Sequence, residues 1–157
     1  MNKIYWLTGQ PGAGKTVLGQ KIKEFLKLLD FKKKIFIVDG DDIREIWQNQ
    51  DYSEEGRKTN IKNAQALVKY LHRYGHVVVS LVAPYRELRE EFKNYMGSHI
   101  IEIYVHTTEI RGREHFFSDN YEPPIDNYID IDTTKDDPDD SLQRIISEMI
   151  NKQIKFV

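Results

Sequence analysis

The chain has no cysteine, which excludes disulfides, thiolate nucleophiles and cysteine-ligated zinc. It has no apolar run near the roughly 20 residues that a membrane-spanning helix requires. Excess charge is equally scarce. Twenty-three Lys and Arg against 25 Asp and Glu leave a formal net charge of −2, so there is no broad basic field for nucleic acid or an anionic membrane. Neither is expected as a partner, and any anion must be gripped locally. Internal repeats and low-complexity linkers are absent. The apolar stretch at residues 1–7 is too short before its glycines for a secretory leader. The expected compartment is the cytoplasm.

What remains is 157 residues of ordinary globular composition, 39% hydrophobic and 31% charged, a length that suits one domain spanning 1–157. Short apolar runs alternate with segments of helical period, the pattern of an α/β domain with a mainly parallel sheet. The expected strands are 3–8, 34–39, 76–82, 100–106 and a short 128–131. The nearly continuous apolar run of the second points to a strand covered on both faces. Helices are expected at 15–30, 42–49, 54–74, 85–96, 107–115 and 138–152, with Gly75 ending the third and residues 116–127 a loop.

Between the first strand and first helix stands Gly9-Gln10-Pro11-Gly12-Ala13-Gly14-Lys15-Thr16, a full G-x-x-x-x-G-K-[ST] phosphate loop in its proper setting. Its glycines let the backbone curl so that several N–H groups face one anion, and the helix N-terminus adds favourable partial charge. The eight residues, with Val17, are read as binding ATP. Lys15 reaches the β- and γ-phosphates and Thr16 ligates magnesium. The fold expected is the three-layer α/β/α sandwich of the P-loop NTPases. A merely connecting glycine-rich turn is the competing reading.

The second strand ends in Asp39-Gly40-Asp41-Asp42-Ile43-Arg44. Ligands gather at the carboxyl ends of strands in open α/β sheets, so Asp39 and Asp41 are expected beside the phosphate loop. One carboxylate can position Mg2+, together with Thr16, and the other can accept a proton from an attacking hydroxyl. Helix capping by Asp41 or Asp42 is the plainer alternative.

With these pieces placed, the chain resembles the adenylylsulfate (APS) kinases. The phosphate loop, Val38 to Arg44, Tyr52-Ser53 with Arg57 and Asn60-Ile61, Ala83-Pro84-Tyr85-Arg86, Glu102-Ile103-Tyr104-Val105 and Tyr121-Glu122-Pro123-Pro124 follow the order of that family's signatures. The resemblance implies an ATP-dependent kinase that phosphorylates the ribose 3′-hydroxyl of a nucleoside 5′-phosphate derivative. It implies Lys15 and Asp41 as catalytic residues. It also implies an acceptor site of Asp39, Asp41, Arg44, Tyr52, Arg57, Asn60, Pro84, Tyr85 and Arg86. Family members are commonly dimers, so a homodimer is compatible with it.

The chain departs from the family in its lid, at about 108–127, which is much shorter and lacks the usual lysine and aromatic pieces. Arg111 or Arg113 is the available clamp for ATP phosphates, Arg111 being counted with the ATP site. Phe116 and Phe117 either stack on a base or tuck into the core. The family's signature asparagine is Asp42 here. These departures bear on the acceptor. It is either APS or cytidine diphosphoramidate, the acceptor of relatives in surface-polysaccharide (capsule) pathways. A small-alcohol kinase and a non-catalytic nucleotide sensor are the remaining readings.

Overall fold

The computed structural model describes residues 1–157, and five strands form one sheet in which every neighbouring pair is parallel. In chain order these are β1 (Ile4–Thr8), β2 (Ile35–Asp39), β3 (His76–Leu81), β4 (Ile100–His106) and β5 (Ile129–Asp132). The helices are α1 (Lys15–Leu29), α2 (Gly40–Ile46), α3 (Glu54–Leu71), α4 (Arg86–Met96) and α5 (Pro138–Asn151). The spatial order is β2-β3-β1-β4-β5, which leaves the strand before the phosphate loop at the centre.

Alternation along each strand sends successive side chains to opposite faces. Tyr5, Leu7, Val78, Ile103 and Val105 pack with Leu18, Ile22 and Leu26 of α1 and Ile145 and Met149 of α5. Ile4, Trp6, Val77 and Val79 pack on the other face with Ile43, Ile61, Ala64, Val68 and Phe92 of α2, α3 and α4. The sheet is therefore the middle of three layers, as expected. Strand β2 is covered on both faces, but as an edge strand it is only half-buried, apart from Val38.

Register aligns the functional rim. Thr8 pairs with Leu81 and Tyr104, and Asp39 pairs with Ser80. The ends of β1, β2 and β3 thus lie side by side.

Three expectations about elements need correction. Residues 107–115 are not a helix, and only a 3-10 turn at Glu114–Phe116 forms. Side chains take the backbone groups that a helix would pair: Thr107 Oγ1 accepts from the Glu109 N–H, and Glu114 Oε1 from the Arg111 N–H. Helix α2 starts at Gly40 rather than 42, because Asp39 is its cap, accepting from the Asp41 N–H at 3.0 Å. Neither Asp41 nor Asp42 caps it. Helix α3 ends at Leu71, before Gly75. That glycine instead permits close approach, since a Cβ there would lie 2.3 Å from the Lys34 carbonyl oxygen.

Candidate active site

The phosphate loop curls because its glycines adopt conformations closed to other residues. Gly9 has φ 155°, and a Cβ on it would stand 2.0 Å from the Val105 carbonyl oxygen. Gly14 opens α1 at φ 104°, with no side chain capping the helix, so its first N–H groups face the site without an internal acceptor. Lys15 folds back along the loop, and its Nζ donates to the Gly9 carbonyl at 2.8 Å and the Gln10 carbonyl at 2.9 Å. The residue is only 8% exposed, yet it lines the cleft. Burial depresses its pKa to about 8; Asp39 opposes that shift and Arg113 reinforces it.

Across the rim, Thr16 Oγ1 donates to Asp39 Oδ2 at 2.9 Å. This couples the loop's last residue to the end of β2. A hydroxyl and a carboxylate beside a phosphate loop form the oxygen-only set that Mg2+ accepts when phosphates complete its shell. The residues therefore fit the ion. Ser80 braces the same corner, donating from Oγ to the Lys15 carbonyl at 3.2 Å.

Lys15, Thr16, Asp39 and Asp41 share one cleft of about 450 Å³. Its far wall carries Arg44, Tyr52, Arg57 and Asn60. The Arg44 guanidinium lies over the Tyr52 ring at 4.0 Å and Arg57 lies 5.8 Å from it. Arg44 donates to the Asn49 and Asp51 carbonyls, and Arg57 Nε to that of Tyr52. Both are held by neutral acceptors, which leaves their charge for a ligand. Asn60 is 4% exposed, and its Oδ1 is buried without a partner, an arrangement that ordinarily costs about 1–3 kcal/mol.

The remaining sequence-predicted residues divide. Pro84 lines the cleft beside Ala83, which has φ 43°. Tyr85 borders instead a shallower depression with Tyr52, Glu54 and Phe117. Arg86 is drawn away, its Nε donating to the Pro123 carbonyl at 2.8 Å. Arg111 lies behind the loop, where Nη1 donates to the Gly12 and Ala13 carbonyls at 3.2 Å each and Nη2 to the Thr133 carbonyl. It borders a smaller depression with Gly14, Val17, Leu18, Thr133 and Pro138. Arg113 enters the main cleft, and so does Phe116. Neither phenylalanine joins the core: Phe116 is 50% exposed and Phe117 39%. The role of Ser80 and the contacts between lid and phosphate loop have no sequence motif to announce them.

The model of the adenylylsulphate kinase family matches residues 1–141. An adenylyl-sulfate kinase of Pseudomonas aeruginosa is 33% identical over 96% of this chain and 86% of its own length. A cytidine diphosphoramidate kinase of Campylobacter jejuni is also 33% identical, over 88% of this chain and 83% of its own. Among solved structures, the Mycobacterium tuberculosis APS kinase CysC in complex with AMPPNP and APS superposes with a TM-score of 0.78. It shares 21% identity, covering 95% of this chain and 98% of that one. The fold is thus that of the P-loop kinases.

Proposed function

Because the chain belongs to the adenylylsulphate kinase family and is therefore an ATP-dependent nucleotide kinase, we propose that it phosphorylates the ribose 3′-hydroxyl of a nucleoside 5′-phosphate derivative. The observation that carries this reading is the sharing of one cleft by the phosphate loop with Asp39 and Asp41 on one side and Arg44, Arg57 and Asn60 on the other. Residues 1–157 act as a single kinase domain, with 108–127 as its lid.

In this reading the ATP phosphates lie along residues 9–17, and the nucleoside rests by the smaller depression that Arg111 borders. Lys15 turns from the Gly9 and Gln10 carbonyls to the β- and γ-phosphates. Thr16 and Asp39 hold Mg2+, which when bound neutralises phosphate charge. Asp41 accepts or orients the acceptor hydroxyl's proton. Arg44 and Arg57 hold the acceptor's 5′ anion through planar forks suited to phosphate oxygens. Asn60 Oδ1 takes a hydroxyl donor, and Tyr52 offers a face to the base. Arg113 supports the charge of the transferring group from the lid side.

The acceptor is APS or a cytidine-linked nucleotide such as cytidine diphosphoramidate. The Campylobacter jejuni relative supports the second as closely in identity as the Pseudomonas aeruginosa adenylyl-sulfate kinase supports the first. Purified protein given ATP, Mg2+ and each acceptor in turn should release ADP with one and yield a 3′-phosphorylated product. A 3′-deoxy acceptor should yield none. Equal inactivity toward every nucleotide acceptor would refute the reading.

A further inference from the structure

The lid crosses the phosphate loop as a strap, and a loop side chain ties it down in two directions. Gln10 Nε2 donates to the Ser118 carbonyl at 2.9 Å, while the Ser118 N–H donates to Gln10 Oε1 at 3.0 Å. The side-chain amide pairs with the strap as the backbone of a neighbouring strand would. Ser118 is buried, although Phe117 and Asp119 beside it are exposed. The backbone of the same glutamine looks the other way: its carbonyl accepts from Lys15 Nζ at 2.9 Å and from the Ala13 N–H at 3.2 Å. One residue therefore joins the phosphate-seeking lysine to the lid.

The strap's cleft-facing residues depend on that join. Arg113 crosses directly over the loop, its Cβ 3.0 Å from where a Cβ on Gly12 would stand. Arg113 and Phe116 line the cleft, whereas Gln10 does not. Beyond Ser118, the Tyr121 hydroxyl meets Thr8 Oγ1 at 2.8 Å. Arg111 fixes the strap before the cleft and Tyr121 fixes it after. Between them, the Gln10 pair is the side-chain link to the loop nearest Phe116.

We propose that Gln10 is a positioning residue for phosphoryl transfer. Its amide sets the register of the strap, and so keeps Arg113 and Phe116 over the phosphate loop. The inference rests on the kinase reading above. Its chemistry is specific, since only a side chain with adjacent donor and acceptor serves both backbone groups of Ser118. Leucine, of similar size, serves neither. When a triphosphate takes the Lys15 ammonium, the Gln10 peptide loses one of its donors while its side chain keeps the strap in place.

The test uses the full chain as Gln10→Leu, with Gln10→Met as a second, unbranched substitution should the first disturb the loop. Each is also combined with Arg113→Ala. Amide hydrogen exchange at Ser118 should quicken about tenfold or more once its acceptor is gone. In the unmodified background Arg113→Ala should lower kcat about tenfold or more; in the Gln10→Leu background it should lower it less than about threefold, because the guanidinium is already misplaced. Unchanged exchange at Ser118, or an undiminished Arg113→Ala effect in both Gln10 variants, would overturn the proposal. If the parent chain phosphorylated no nucleotide, the kinase reading would fall, and the exchange measurement would still decide whether Gln10 holds the strap.

Discussion

At the scale of single residues, Lys15 combines binding with a cost to folding. Its pKa stands near 8 rather than 10.5 because burial penalises the ammonium. A triphosphate favours the charged form, so ATP binding above pH 8 must take up a proton. Affinity for ATP, measured calorimetrically, should be flat from pH 6.5 to 7.5 and fall up to tenfold per unit above 8. Stability should move the opposite way there, rising with pH, since the unfolded chain holds that proton more tightly. Lys15→Ala should lower the phosphoryl-transfer rate by about two orders of magnitude or more without loss of folding at neutral pH. A variant with normal turnover would end that role. Asp41→Asn separates a kinase from a nucleotide sensor, because it should abolish turnover while ATP still binds. These residues were legible in the sequence because a phosphate loop and a carboxylate-tipped strand carry their geometry in their spacing. The choice between Arg111 and Arg113 was not legible. It depends on which way a non-helical strap turns, and the Gly12 and Ala13 carbonyls claim the first.

At the scale of elements, the join between α4 and β4 is made by charge inside the core. Glu102 on β4 is 2% exposed; it accepts from Arg89 Nε at 2.9 Å and from Lys93 Nζ at 2.6 Å. Arg89 continues outward to the Ala83 carbonyl at 2.5 Å and the Glu122 carbonyl at 2.5 Å. The trio thereby sets both the positive-φ residue at the cleft floor and the base of the lid. Glu102→Gln leaves Arg89 buried with carbonyl partners alone and Lys93 with Glu90 at 2.9 Å as its one remaining carboxylate, and should cost about 3 kcal/mol, read as a lowered urea midpoint. A change under about 1 kcal/mol would show that water reaches the pair. Helical period marked α4 and a short apolar run marked β4. The trio stayed hidden because Arg89 and Lys93 read as the polar face of an amphipathic helix. The misread helix at 107–115 has a related cause. Its glutamates and arginines suit a helix by composition, but the Thr107 and Glu114 oxygens take backbone donors first.

At the scale of the whole molecule, the layers followed from short apolar runs alternating with segments of helical period, and both faces of the sheet were expected to be covered. Strand order could not be read that way, since β2-β3-β1-β4-β5 is set by crossovers among distant segments rather than by any local pattern. The rim opposite the cleft shows what such packing commits the chain to. His76 is 1% exposed at the start of β3; its Nδ1 accepts the Lys3 N–H at 2.9 Å, and its Nε2 is buried without a partner. The acceptor role places the proton of the neutral ring on Nε2. A second proton would set two donors against each other and charge a dry site. Burial, with Lys33 nearby, accordingly lowers its pKa to about 4. His72, packed edge-on against His99 at 4.8 Å, is lowered in the same direction by burial and by that neighbour. Both rings titrate near 6.5 once unfolded, so below that pH the unfolded chain binds the extra protons, down to about 4 in the case of His76. Stability should therefore fall on acidification below 6.5, by up to about 1.4 kcal/mol per pH unit for His76, with His72 acting in the same direction. Urea midpoints at pH 7.0, 6.0 and 5.0 would show the decline. His76→Gln should flatten the part that belongs to β3 while leaving the pH dependence of ATP binding unchanged, because Lys15 lies at the other end of the sheet.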